Sequence, residues 1–133
     1  WAGDISYIWT SEGWLYLAVI LDLYSRRVIG WAVSNRMKRD LAIQALEMAV
    51  ALRQPPDGCI HNTDRGSQYC SNEYQRRLSK HGFKVSMSRK GNCYDNSMVE
   101  TFFKSIKAEL IWRNRWDTRR QAEGAIFRYI NSF

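Results

Sequence analysis

Three carboxylates fall where the pattern of the chain changes: Asp4 in a β-branched and aromatic run, Asp64 just past the short run CIHNT, and Glu100 near the start of an amphipathic stretch. Acidic residues at strand ends and at a helix start can converge at one edge of a sheet. Clustered carboxylates are the hard oxygen ligands that Mg²⁺ or Mn²⁺ takes. Two such ions roughly 3.5–4 Å apart activate an attacking oxygen and stabilise a leaving one in phosphodiester chemistry. Lys104 and Lys107 follow Glu100 at helical spacing, where long cationic side chains reach phosphates.

Each residue also has an ordinary reading. Asp4 suits a strand-end surface charge, and Asp64 opens DRGSQ, where Asp and Gly are common turn residues. Glu100 lies three residues after Ser97, the spacing of a capping box, and Glu100 with Lys104 makes an i,i+4 pair on a solvated face. Asp22, ahead of YSR, reads as a turn or salt-bridge residue, and Asp95 as a neighbour of the cap of the following helix. The loop SRKGNCY, with Arg89 and Lys90, combines cations, a glycine and an aromatic, a composition suited to gripping a strand end.

The elements that must position these residues are legible from periodicity and breakers. DISYIW, WLYLAVILDL and RVIGWAVS form a three-stranded meander, and the run Trp14–Leu21 is apolar almost without alternation, as in a strand covered on both faces. Leu41–Arg53 reads as a helix after an Asp40 N-cap, stopped by QPPDG. Cys59–Asn62 is a short strand, Ser71–His81 a helix ended by Gly82, and Phe83–Met87 a further strand. Ser97–Leu110 carries an apolar stripe at Val99, Phe102, Phe103, Ile106 and Leu110, with Glu100, Lys104 and Lys107 on another face. Thr118–Phe133 is the last helix, its Arg119, Arg120 and Arg128 facing solvent or DNA. This order calls for an α/β architecture, a mixed sheet with helices on its faces.

At 133 residues the chain suits one domain with one active site, here residues 1–133. Twenty Lys and Arg against thirteen Asp and Glu leave +7, which favours a polyanionic partner, nucleic acid above all. Cys59, Cys70 and Cys93 are odd in number and widely spaced, with His61 and His81 as companions, so neither a disulfide framework nor a zinc site is expected and a reducing, intracellular setting fits. The absence of a long apolar run argues against a membrane partner, and the opening on Trp1 suggests an excised core.

The strings HNTDRGSQYCS and SMSRKGNCYDNSMVETFFKSIKAEL, with DISYI followed by LYLAVILDLYSRRVIGW, closely resemble bacterial insertion-sequence transposases of the OrfB type, whose cores are related to retroviral integrases. Thirty-five residues lie between Asp64 and Glu100, the spacing associated with that group. The resemblance covers nearly the whole chain and departs from common family residues at Gly3 and Asn62. It implies a ribonuclease H-like fold, a five-stranded mixed sheet flanked by helices, with Asp4, Asp64 and Glu100 as the catalytic and metal-binding triad for two Mg²⁺ or Mn²⁺ ions. It implies cleavage at a transposon end followed by strand transfer into target DNA, with Lys104 and Lys107 contacting DNA. Arg65, Arg89 and Lys90 lie in the same family strings and are expected at the DNA. The expected setting is the bacterial cytoplasm at the nucleoid, with two or more protomers bringing ends together. A nuclease that only hydrolyses, or a catalytically inactive DNA-binding module, would share much of this pattern.

Overall fold

The computed structural model describes residues 1–36, 39–63, 72–87 and 94–132. Strands β1 (Ala2–Thr10), β2 (Gly13–Asp22), β3 (Arg27–Ser34), β4 (Ile60–Thr63) and β5 (Lys84–Met87) form one sheet in the order β3-β2-β1-β4-β5. The first three pair antiparallel as the expected meander, whereas β4 joins β1, and β5 joins β4, in parallel. The sheet is therefore mixed and five-stranded, with helices α1 (Arg39–Arg53), α2 (Asn72–Lys80), α3 (Tyr94–Ile106) and α4 (Arg119–Ser132) around it.

The β1–β2 hairpin closes at Gly13, whose φ of +121° suits a residue without a Cβ, and the Thr10 hydroxyl donates to the Gly13 carbonyl at 2.7 Å. Along β2, Leu15, Leu17, Val19 and Leu21 bury against Phe102, Phe103 and Ile106 of α3 and Ala122 and Ile126 of α4. The alternate residues Ala18 and Ile20 bury against Leu41, Ala42, Ala45 and Leu46 of α1 and Tyr74 and Leu78 of α2. A strand with period-two side chains and helices on both faces needs apolar residues at every position, which accounts for its unbroken apolar run.

Several boundaries differ from expectation. Helix α1 starts at Arg39, so Asp40 sits inside the first turn, where its charge favours the positive helix end without being the N-cap. Strand β4 is shifted by one residue to Ile60–Thr63, and α2 and β5 are slightly shorter than read. The largest change is in α3, which starts at Tyr94 and yields at Lys107 to a π-helical turn, Lys107–Ile111. Ser97 and Asp95 therefore lie within the helix, and the capping-box reading of Ser97 and Glu100 is corrected. In α4 a capping box does form: the Thr118 hydroxyl accepts from the Gln121 N–H at 3.1 Å, and the Gln121 side chain accepts from the Thr118 N–H at 3.4 Å.

Candidate functional site

The side chains of Glu100, Phe103, Lys104 and Lys107 follow the i, i+3, i+4, i+7 spacing of one helical face. That face meets Asp4, Ile5 and Ser6 of β1 across an open cleft of about 270 Å³. What places it there is the apolar side of the same helix: Phe102, Phe103 and Ile106 are buried in the core that β1 and β2 share, with the two phenyl rings 5.5 Å apart. Burying such side chains contributes about 1.5–3 kcal/mol each, so the apolar contacts set the helix and the polar residues follow. On β1, Asp4 and Ser6 are on the same pleat face as Ala2 and Ile8, which pack in that core. Asp4 Oδ1 accepts the Ile5 N–H at 2.8 Å, which orients the carboxylate on its strand.

Two members of the predicted triad, Asp4 and Glu100, are thus brought into one cleft with both predicted lysines. Glu100 stands in the second turn of α3, not the first, because the helix begins at Tyr94. The third acid, Asp64, lies outside the described residues, as do Arg65, Arg89 and Lys90. The register of the preceding residues is defined: β4 runs parallel to β1 with Asn62 opposite Ala2 and Thr63 opposite Gly3, the residue before Asp4. Among the described residues no group of three or more His, Cys, Asp or Glu is placed to hold a metal ion. The donor set that is described, two carboxylates and a serine hydroxyl, is all oxygen and fits Mg²⁺ or Mn²⁺ better than a softer metal.

Among the described residues, ion pairs join α1 to α2 and lie along α2, where Glu47 meets Arg77 and Glu73 meets Arg76 and Arg77, and His81, just past α2, hydrogen-bonds Glu47. None joins Glu100 to Lys104, so the simple i,i+4 reading of that face is not realised. His61 is buried and shares a 2.8 Å hydrogen bond with the Tyr74 hydroxyl, a structural pair in which burial pushes the phenol pKa upward. Asp22 serves the turn after β2, its carboxylate accepting the Tyr24 N–H at 3.0 Å. Arg119 does not project freely: its Nε donates to the Trp14 carbonyl at 3.0 Å and its N–H to Glu12 at 2.7 Å, tying α4 to the hairpin. Sequence reasoning missed Ser6 and Phe103 as cleft residues. Ser6 was signalled by its place two residues beyond Asp4 on the same strand face.

A mixed sheet with helices on both faces and a cleft lined by Asp4 and Glu100 between its central strand and a flanking helix defines an α/β core with a ribonuclease H-like fold. The chain belongs to the integrase core domain family, whose model matches residues 1–93. It is similar to Transposase InsF for insertion sequence IS3A of Escherichia coli (strain K12), with 52% identity over 130 residues, 98% of this chain and 45% of that protein. It is also similar to the Transposase for insertion sequence element IS904 of Lactococcus lactis subsp. lactis (strain IL1403), 47% identical over 133 residues, 100% of this chain and 53% of that protein. The chain spans about half the length of these curated relatives. Among solved structures, the HTLV-2 integrase catalytic core domain in complex with magnesium matches with a TM-score of 0.66 at 24% identity, over 81% of this chain and 66% of that one. A chain of the simian T-cell lymphotropic virus intasome, in complex with PP2A regulatory subunit B56 gamma, matches with a TM-score of 0.69 at 25% identity, over 81% and 38%. Among the described residues no helix is long and apolar enough to cross a membrane.

Proposed function

We propose that residues 1–133 form the catalytic unit of a DNA transposase, which cleaves transposon ends and joins them to target DNA by phosphodiester transesterification. The observation that carries this reading is the meeting of Asp4 and Glu100 in one cleft with Lys104 and Lys107. Asp64 is bonded to Thr63, whose register partner precedes Asp4, and consecutive Cα atoms are only about 3.8 Å apart. That supports Asp64 as the third ligand of the same site. The transposase relatives, similar over nearly the whole chain, support the choice of reaction.

In this reading Asp4, Asp64 and Glu100 hold a pair of Mg²⁺ or Mn²⁺ ions, an assignment supported by the magnesium named for the HTLV-2 integrase core. When bound, the metal supplies activation of the attacking oxygen and stabilisation of the leaving one. The strand and the helix hold the carboxylates at a fixed separation, and the Ile5 N–H orients Asp4. Lys104 and Lys107 bind backbone phosphates beside them, with Arg65, Arg89 and Lys90 as further DNA contacts. The partners are transposon-end and target DNA, with two or more protomers needed to bring ends together, and the setting is the bacterial cytoplasm at the nucleoid.

The test is cleavage and strand transfer by the full-length protein on a labelled transposon-end duplex with Mg²⁺ or Mn²⁺. Wild type is compared with Asp4→Asn, Asp64→Asn and Glu100→Gln. Metal-dependent joining lost in all three variants is the expected result. Cleavage without joining would point to a hydrolytic nuclease, and DNA binding without either reaction to an inactive module.

A further inference from the structure

The helix that carries Glu100 does not run on unbroken. Its last α-helical residue is Ile106, and from Lys107 to Ile111 the chain takes a π turn, in which the Trp112 N–H reaches back to the Lys107 carbonyl at 2.9 Å. A π turn inserts one residue into the α-helical ladder and is rare, so something beyond local propensity must hold it. Its first residue, Lys107, lines the cleft with Asp4, Glu100 and Lys104.

Three sets of contacts hold the turn. Leu110 and Ile111 pack against the core that includes Ala122 and Ile126 of α4. The Asn114 amide donates to the Leu110 carbonyl at 2.8 Å, satisfying an acceptor at the end of the turn. The Tyr129 hydroxyl on α4 donates to Glu109 Oε2 at 2.8 Å, across twenty residues of sequence. Tyr129 is itself partly buried against the same core, which anchors its ring on α4. If the turn relaxed to α-helical pairing, the Lys107 carbonyl would take the N–H of Ile111 in place of that of Trp112. Residues on the two sides of the turn would then shift by one position relative to each other, and with Glu109, Leu110 and Ile111 held on α4 the shift would fall on Lys107 and the end of α3.

We propose that the hydrogen bond between Glu109 and Tyr129 is a positioning contact, which pins the π turn to α4 and so sets the backbone from which Lys107 enters the cleft. It governs where a DNA phosphate is gripped relative to Asp4 and Glu100. The inference rests on the reading of Lys107 as a phosphate-contacting residue. Glu109 and Tyr129 touch neither DNA nor metal in this scheme and act through Lys107.

The experiment measures binding of a transposon-end duplex by the full-length protein over a range of salt, together with thermal stability, for Tyr129→Phe, Glu109→Gln, Lys107→Ala and the Tyr129→Phe, Lys107→Ala double variant. Lys107→Ala should weaken binding and lower the slope of log affinity against log salt by about one unit. Tyr129→Phe should weaken binding roughly three- to tenfold, the loss expected when one ordinary, solvent-exposed hydrogen bond is removed. Glu109→Gln keeps an acceptor for the phenol and should stay within about twofold of wild type, by the same reasoning. In the Lys107→Ala background, Tyr129→Phe should cause no further loss of affinity, whereas any loss of stability should be equal in both backgrounds. An equal loss of affinity in both backgrounds, or a lowered melting temperature with unchanged affinity, would show a merely structural bond and overturn the inference alone. If Lys107→Ala changed neither affinity nor salt slope, the reading of Lys107 would fall first and this inference with it.

Discussion

On one face of the sheet α1 lies against β2 and β3 through Ala42, Ala45, Ala49 and Gly30. On the other, α3 meets β1 across a cleft lined by Asp4, Glu100, Lys104 and Lys107. The first contact is close: a Cβ added to Gly30 would meet the Ala45 carbonyl and come within 2.8 Å of the Ala49 Cβ. Small residues there let a helix backbone approach the sheet and exclude water, so volume is what matters. The second contact is apolar at Phe102, Phe103 and Ile106 and opens at Glu100 and Lys104 into space bordered by charge. Charge and reach matter there, and added volume is tolerable. The difference teaches that the packed face supplies rigidity, which the open face uses to hold carboxylates at fixed positions.

This contrast can be broken by substitution. The largest effect is expected for Asp4→Asn and Glu100→Gln, which should lower metal-dependent DNA cleavage beyond the ~100-fold seen for the loss of outer-shell partners of metal sites. Removing one of the clustered charges should leave the metal-free melting temperature unchanged or raised, and should shrink the stabilisation brought by Mg²⁺, both measurable by thermal unfolding. A large loss of metal-free stability in these variants would put the two faces under the same rule.

Gly30→Val should do the opposite. Overpacking against Ala45 and Ala49 should cost about 1–3 kcal/mol or more in denaturant unfolding, while the protein that remains folded keeps its cleavage rate. Thr118→Ala, which removes the cap of α4 far from the cleft, should cost about 1 kcal/mol with no change in activity.

The smallest effect is in the alkaline range. Partial desolvation, then the hydrogen bond and charge of Glu109, push Tyr129 up to about 12 from an ordinary value of 10.0. The folded state therefore keeps this proton where the unfolded chain has lost it. The stabilising contribution is complete below pH 10 and is lost as pH rises from about 10 to about 12. Tyr129→Phe should flatten the decline of unfolding free energy over that window relative to wild type. An unchanged slope would remove Tyr129 as the group responsible.

The elements were largely legible because their signals are local. The prolines of QPPDG stop α1, Gly82 ends the segment after α2, and β-branched and aromatic runs mark the three strands of the meander. The covering of both faces of β2 was readable from its unbroken apolar run. Local signals also misled: Ser97 and Glu100 have capping-box spacing, yet the helix begins at Tyr94, and Arg119, read as facing solvent or DNA, is bound to the hairpin. In the second case the partners, Glu12 and Trp14, lie more than a hundred residues away in sequence, beyond any local pattern.

Of the candidate site, the residue types, their spacing and their family strings were present in the chain itself, since chemistry depends on side-chain identity and the resemblance on order. What the tertiary structure decided is their convergence. The parallel pairing of β4 with β1 brings Thr63 beside Gly3, and the burial of Phe102, Phe103 and Ile106 turns Glu100 and Lys104 toward Asp4. It also decided the π turn at Lys107, held by Tyr129 from a separate helix. Strand register and helix docking depend on contacts between distant segments, whose free energies are summed over the whole core and appear in no single stretch of sequence.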